Sequence, residues 1–299
     1  MKDLCRTQDM SPKDFWKIIE WAIKFGKEPF LRNSLLANKT VGIYMTKPST
    51  RTRLASETAV AHLGGTPIFI RGDDLQLGRG ETLADTAKIM SGFLSALIIR
   101  TFAQSDVDQL AGESNIPIIN GLTDDDHPTQ VLADWTTIIE EFGESYKDRK
   151  YVYVGDGNNV AHAWLIAGAL MGVEVVIATP PGKYELPNSS KDLAEKISHH
   201  TGGKIEFLND PKVAARDASV IYTDVWLSMG DDEKLKAEKT RALQNYQVNQ
   251  SLIDLMEPDG IFLHCLPAHR GEEVTAEVID GPRSRIWREA FHRRTTIQA

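Results

Sequence analysis

Short runs of β-branched and apolar residues alternate along this chain with longer amphipathic stretches. The short runs fall at 41–45, 67–70, 96–100 and 117–120, and again at 150–155, 174–179, 204–208, 220–224 and 260–263. Blocks of that length, bounded by turn residues, predict buried strands. Between them, Leu54, Thr58 and Leu63 space a helix that Gly64 and Gly65 stop, and a longer helix is expected over 130–142, after Pro128 and up to Gly143. Strands alternating with helices predict parallel sheets covered by helices on both faces, an α/β fold. The polar segment 144–148 separates the two series of strands and reads as a hinge between two domains.

Composition narrows the function. With 299 residues, 41% of them hydrophobic, the chain can fill two cores. Its 34 Lys and Arg against 42 Asp and Glu leave a net charge of −8, so bulk electrostatics draw it neither to nucleic acid nor to an anionic membrane. An anionic ligand must then be held by local geometry. Only Cys5 and Cys265 are present, which excludes a disulfide framework and fits a reducing compartment. The N-terminus lacks a signal-peptide apolar core and no apolar stretch approaches bilayer-spanning length, so a cytoplasmic protein is expected. The charged run 231–239 reads as a solvated face.

The stretch with the most chemistry is Lys47-Pro48-Ser49-Thr50-Arg51-Thr52-Arg53, which links the strand over 41–45 to the helix that follows. Free N–H groups and the positive end of a helix dipole favour an anion there, and the hydroxyls and forked guanidiniums of Arg51 and Arg53 add to it, so a phosphate is the expected guest. In open parallel sheets ligands lie beyond the carboxyl ends of the strands. Residues at those ends are Arg100, then His127-Pro128-Thr129-Gln130, Gly155-Asp156-Gly157-Asn158-Asn159, Asp224-Val225-Trp226-Leu227-Ser228-Met229-Gly230 and His264-Cys265-Leu266-Pro267. Asp124, Asp125 and Asp126 read as a solvated capping run rather than a metal site. His264 and Cys265 have no second ligand pair at zinc spacing, so no metal is expected. Gly155-Asp156-Gly157 lacks the third glycine and the ribose-binding acid of a dinucleotide site, and there is no Gly-Lys-Ser/Thr phosphate loop. No cofactor is expected.

Taken together, Ser49-Thr50-Arg51-Thr52-Arg53, His127-Pro128-Thr129-Gln130, the Asp224 to Gly230 run and His264-Cys265-Leu266-Pro267 resemble, in order, the signatures of the aspartate/ornithine carbamoyltransferases. The resemblance spans roughly residues 39–293, and the last two motifs are closest to the ornithine branch. It implies two α/β domains, each a parallel-type sheet flanked by helices. The first, over 1–143, would bind carbamoyl phosphate, be rejoined by a C-terminal helix over 284–299, and precede an ornithine-binding domain over 144–283. It further implies a homotrimer or a multiple of trimers, with active sites between the domains and near a subunit boundary. Gln76 would then reach a neighbouring subunit's phosphate, and Arg293, with Arg294 as rival, would be a further carbamoyl phosphate contact.

Carbamoyl phosphate is an acyl donor whose carbonyl must be polarised, whose phosphate must leave, and which water destroys. On this reading Ser49, Thr50, Arg51 and Thr52 hold the phosphate, with Arg51 neutralising the leaving group. Arg100, His127 and Thr52 face the carbonyl oxygen, and the Gln130 amide oxygen takes the carbamoyl amino group. Cys265 and the Leu266 backbone orient the attacking amine, which reacts only when uncharged. Asp224 pairs the α-ammonium of the acceptor, and Asn159, Ser228 and Met229 receive its α-carboxylate. That set suits ornithine. Aspartate or putrescine as acceptor, and a non-catalytic carbamoyl-phosphate-binding paralogue, are the alternatives.

Overall fold

A computed structural model describes residues 2–77, 80–228 and 232–299. The chain divides into two compact units, Met1–Thr136 with Phe291–Ala299, and Thr137–Ala290. In the first, β1 (Thr40–Met45), β2 (Thr66–Arg71), β3 (Ala96–Arg100) and β4 (Ile118–Leu122) form a sheet of order β2-β1-β3-β4. In the second, β5 (Lys150–Val154), β6 (Glu174–Ala178), β7 (Lys204–Leu208), β8 (Val220–Thr223) and β9 (Ile261–His264) take the order β7-β6-β5-β8-β9. Every neighbouring pair is parallel.

All nine expected apolar runs are strands, for a simple reason. Helices on both faces bury central strands completely, so these strands must be continuously apolar, and the central β8 is buried at every position, as is β9 although it lies at the sheet edge. Edge strands β2 and β7 are only partly buried and carry Arg71, Lys204 and Glu206. Chain order reverses between β1 and β3 in one sheet and between β5 and β8 in the other. Loops diverge at such points and leave a crevice beyond the strand ends.

The helices needed more correction. In the helix Thr50–His62 the buried stripe is Thr52, Ala55, Ser56, Ala59 and Val60, whereas Leu54 is 57% exposed. Small residues face inward there, so the most hydrophobic spacing does not mark the core side. The helix Pro128–Phe142 starts at its proline, the position where a missing N–H costs nothing. Its chain continues from the first unit into the second at Thr136 and Thr137, and the expected hinge at 144–148 lies instead in a 3-10 helix, Gly143–Asp148, wholly within the second unit. The last helix, Ile286–Gln298, likewise begins in the second unit and ends in the first.

The N-terminal strap adds one bridge to the edge of the first sheet: Leu4 N–H donates to Ile118 O at 2.9 Å and Asn120 N–H to Leu4 O at 2.8 Å. Burial, then the charges of Asp9, Asp3 and Asp108, push the Cys5 thiol up to about 11. Among the described residues no helix is long and apolar enough to cross a membrane.

Candidate functional site

In the first unit the chemistry gathers around one hydroxyl. Thr52 is fully buried on the first turn of helix Thr50–His62, behind the cap that Ser49 Oγ makes by accepting from Thr52 N–H at 3.2 Å. Its own Oγ1 accepts from Arg293 Nη2 at 2.8 Å, from Ser49 Oγ at 3.1 Å and from Arg100 Nη1 at 3.4 Å. Arg293 Nη1 also donates to Gln130 Oε1 and, at 3.4 Å, to His127 Nε2. Gln130 is oriented in turn by donating through Nε2 to Asp134 Oδ1 at 2.7 Å. Thr52, Arg100, His127, Gln130 and Arg293, all buried, thus meet although they are spread over most of the chain.

Arg293 joins this group and Arg294 does not. Arg294 donates instead to Gln298 Oε1 at 2.6 Å and to the Phe25 carbonyl at 3.3 Å, pinning the end of the last helix. Arg51 is half-buried on the same turn as Thr52. Ser49 and Thr50 line an open cavity of about 740 Å³ together with Thr46, Gly72 and Leu77. Gln76, next to Leu77, is exposed. Arg53, read from sequence as a second anion-binding guanidinium, is exposed and lines the same open cavity, pairing with Glu57 at 3.0 Å and stacking 3.8 Å over the Phe69 ring. Successive helical residues point about 100° apart, so Arg51 and Arg53 cannot share a face.

The acidic run before His127 is also not simply solvated. Asp126 is buried, accepting from Thr7 N–H at 2.5 Å, Thr7 Oγ1 at 2.7 Å and His127 N–H at 2.7 Å. Asp124 takes the ammonium of buried Lys47, which also lies 4.5 Å over the Phe102 ring. Together they brace the loop that delivers His127.

Burial, then the charges of Arg293, Arg100, Arg51 and Lys47, hold the His127 imidazole well below its ordinary 6.5, so it is neutral at neutral pH. A guanidinium has donors only, so its contact requires Nε2 to accept and puts the single imidazole proton on Nδ1. Nδ1 is buried without a hydrogen-bond partner among the described residues. An N–H left so is costly unless a ligand oxygen meets it.

In the second unit the loops after β5 and β8 meet at the switch point. Asn158, which sequence reasoning passed over in favour of Asn159, caps the helix Asn159–Met171 through Oδ1, accepting from Val160 and Ala161 N–H at 2.9 and 3.0 Å. Its Nδ2 donates to Asp224 Oδ2 at 2.8 Å. Gly157 beside it has no room for a side chain: a Cβ would lie 2.6 Å from the backbone of Glu185 and Leu186. The signal that could have found Asn158 was its place directly before a long apolar helix, where an N-cap is expected.

From the end of β9, the half-buried Cys265 donates its thiol hydrogen to Asp224 Oδ1 at 2.9 Å. Leu266 follows with a cis bond to Pro267. Asp224, Cys265 and His264 offer ligand atoms within 4.8 Å of one another, but both His264 nitrogens are committed to protein partners, Nε2 to Glu273 and Nδ1 to Leu266 N–H, which leaves no lone pair for a metal. Asn159 and Ser228 are half-buried on the same loops, and Met229 lies outside the described residues. Of the run over 231–239, Asp231 lies outside the described residues, and the rest is not uniformly solvated, because Lys239 donates to the largely buried Asp156 at 2.7 Å.

Comparison with known proteins also divides the chain in two, with the boundary between residues 140 and 147. Residues 2–140 match the carbamoyl-P binding domain of aspartate/ornithine carbamoyltransferase, and residues 147–299 match the Asp/Orn binding domain. The ornithine carbamoyltransferase of Pyrococcus abyssi is 47% identical over 294 residues, covering 98% of this chain and 92% of that protein. That of Bacillus thuringiensis is 46% identical over 292 residues, covering 98% and 90%. Among solved structures, ornithine carbamoyltransferase from Pyrococcus furiosus superposes with a TM-score of 0.94 at 45% identity, covering 99% of this chain and 95% of the other. Ornithine transcarbamoylase from Giardia lamblia superposes at 0.91 with 32% identity and the same coverage. With both of its domain types matched end to end, the chain belongs to the aspartate/ornithine carbamoyltransferase family.

Proposed function

We propose that this chain transfers the carbamoyl group of carbamoyl phosphate to the side-chain amine of L-ornithine, giving L-citrulline and phosphate. The observation that carries the reading is the convergence of Arg100 and Arg293 on Thr52 beside a neutral, buried His127 whose Nδ1–H has no partner among the described residues. Such a group is built for an anion with a polar carbonyl. In this reading Ser49, Thr50, Arg51 and Thr52 take the phosphate, and Arg293 adds a buried charge to it. Gln76 of a neighbouring copy adds a further hydrogen bond to the phosphate. Arg100 and His127 polarise the carbonyl, where negative charge grows as the amine attacks; one lost donor of this kind costs about 100-fold or more in rate. The Gln130 amide oxygen takes the carbamoyl amino group, an acceptor facing a donor.

The acceptor half of the reaction falls to the second unit. Asp224, already positioned by Asn158 and Cys265, pairs the α-ammonium of ornithine, and Asn159, Ser228 and Met229 receive its α-carboxylate. An alkylammonium with a pKa of about 10.4 must lose its proton before it can attack. Cys265 and the Leu266 carbonyl orient the resulting free amine, and the departing phosphate accepts its last proton. No covalent enzyme intermediate is needed, because the carbonyl is already activated.

The same reading makes the chain a cytoplasmic enzyme of arginine biosynthesis, working as a homotrimer or a multiple of trimers. Exposure of Gln76 supports a contact with a neighbouring copy. Purified protein given carbamoyl phosphate with ornithine, aspartate or putrescine in parallel should form citrulline and phosphate with ornithine alone. Silence with all three, or preference for another amine, sinks the assignment. Light scattering coupled to gel filtration tests the trimer.

A further inference from the structure

His264 and Glu273 are given no substrate contact of their own, yet both are buried completely at the foot of the Cys265–Leu266 turn. Leu266 N–H donates to His264 Nδ1 at 2.9 Å, and His264 Nε2 donates to Glu273 Oε1 at 3.1 Å. The same Glu273 oxygen accepts from His269 N–H at 2.5 Å, and His264 N–H is held by buried Glu289 at 3.0 Å. Leu266 itself has φ of +58°. A branched side chain enters that left-handed region only where its surroundings over-determine the backbone.

A carboxylate accepts and cannot donate, so Glu273 requires the proton on Nε2 and leaves Nδ1 bare. Only a bare Nδ1 can accept from Leu266 N–H. That bond closes a tight ring from His264 to Leu266 and holds the intervening Cys265 where its thiol meets Asp224. We propose that Glu273 and His264 form a positioning relay: the carboxylate selects the imidazole tautomer, and the imidazole locks the Leu266 backbone and so aims the Cys265 thiol and the Leu266 carbonyl. The effect on catalysis rests on the carbamoyl-transfer reading above, while the geometric claim does not.

Two amide substitutions separate positioning from mere packing. His264→Asn keeps an acceptor at the place of Nδ1, and His264→Gln reaches the place of Nε2 and leaves Leu266 N–H unmet. With similar melting temperatures for the two, His264→Gln should lose about 100-fold in kcat, as a displacement of the order of 1 Å at a reacting centre does, and His264→Asn should lose about tenfold or less. Alkylation of Cys265 by iodoacetamide, followed in a Cys5→Ser background, should change rate in His264→Gln far more than in His264→Asn. This second readout needs no turnover, so a wild type silent in the citrulline assay defeats the functional reading and leaves the relay still judged by alkylation. Equal losses in the two variants, tracking their stability, overturn the relay, as does unchanged alkylation in both. Nitrogen-15 spectra of the wild-type imidazoles check it without any variant: Nε2 of His264 should carry the proton, and a proton on Nδ1 refutes the proposal.

Discussion

Cys265 gives its thiol hydrogen to Asp224 Oδ1 at 2.9 Å, and Asn158 holds the other oxygen of the same carboxylate at 2.8 Å. Asp224 is therefore held through both of its oxygens. Because Asn158 also caps the helix Asn159–Met171, one side chain serves both the fold and the carboxylate.

That double duty can be split by mutation. Asn158→Asp keeps a good cap but sets a like charge against Asp224, so stability should hold within about 1 kcal/mol while ornithine binding weakens strongly. Asn158→Ala should lose about 1 kcal/mol through the cap as well. Melting curves and the ornithine KM read the two effects, and an unchanged KM in Asn158→Asp would show that the carboxylate does not face the substrate.

Arg293 and Arg294 should behave oppositely. Arg293→Ala removes contacts to Thr52, Gln130 and His127, and its turnover should fall by about 100-fold or more. Arg294→Ala loses bonds to Gln298 and the Phe25 carbonyl and should lower the melting temperature with kcat nearly intact. Steady-state kinetics at saturating ornithine decide between them. A reversed pattern would place the wrong arginine in the site.

The first turn of helix Thr50–His62 offers a similar contrast. Arg51→Ala should cost about 100-fold in rate, because charge on the leaving phosphate goes uncompensated. Arg53→Ala breaks an exposed pair with Glu57 and should change stability by no more than about 1 kcal/mol, with activity preserved. Comparable loss of turnover in both would mean that Arg53, which lines the same cavity as Ser49 and Thr50, also serves the phosphate.

Acidification should reveal His127. In the unfolded chain its imidazole takes a proton near 6.5, whereas in the folded chain burial and the charge of Arg293 hold it well below that. The stability this neutral imidazole supports is therefore complete above 6.5 and declines as pH falls toward the folded value, by about 1.4 kcal/mol per pH unit. His127→Gln should flatten this slope in denaturant titrations between neutral and mildly acidic pH. Inorganic phosphate, by screening the cations, should lift the folded pKa and flatten the slope in the wild type. Parallel slopes with and without His127 would assign the acid sensitivity elsewhere.

Much of this protein was legible from its residues alone. Strands β1 to β9 follow from short apolar runs, because a strand buried on both faces leaves no polar alternation to misread. The placing of Ser49, Arg100 and His127 at or beyond strand ends of the first sheet, and of Asp224 and Cys265 beyond strands of the second, follows from the same topology. Local pattern could not say which of two adjacent arginines reaches Thr52, why Leu54 lies outside while Ser56 lies inside, or that Asp126 is a buried brace for Thr7. Nor could it show that Asn158 rather than its neighbour grips Asp224. Each of these depends on partners more than 40 residues away or on the rotation of a helix against a sheet. Sequence determined which elements form and which edge of each sheet carries polar groups, since both come from short-range periodicity. Only tertiary structure decided which side chains meet, since that is set by how elements pack.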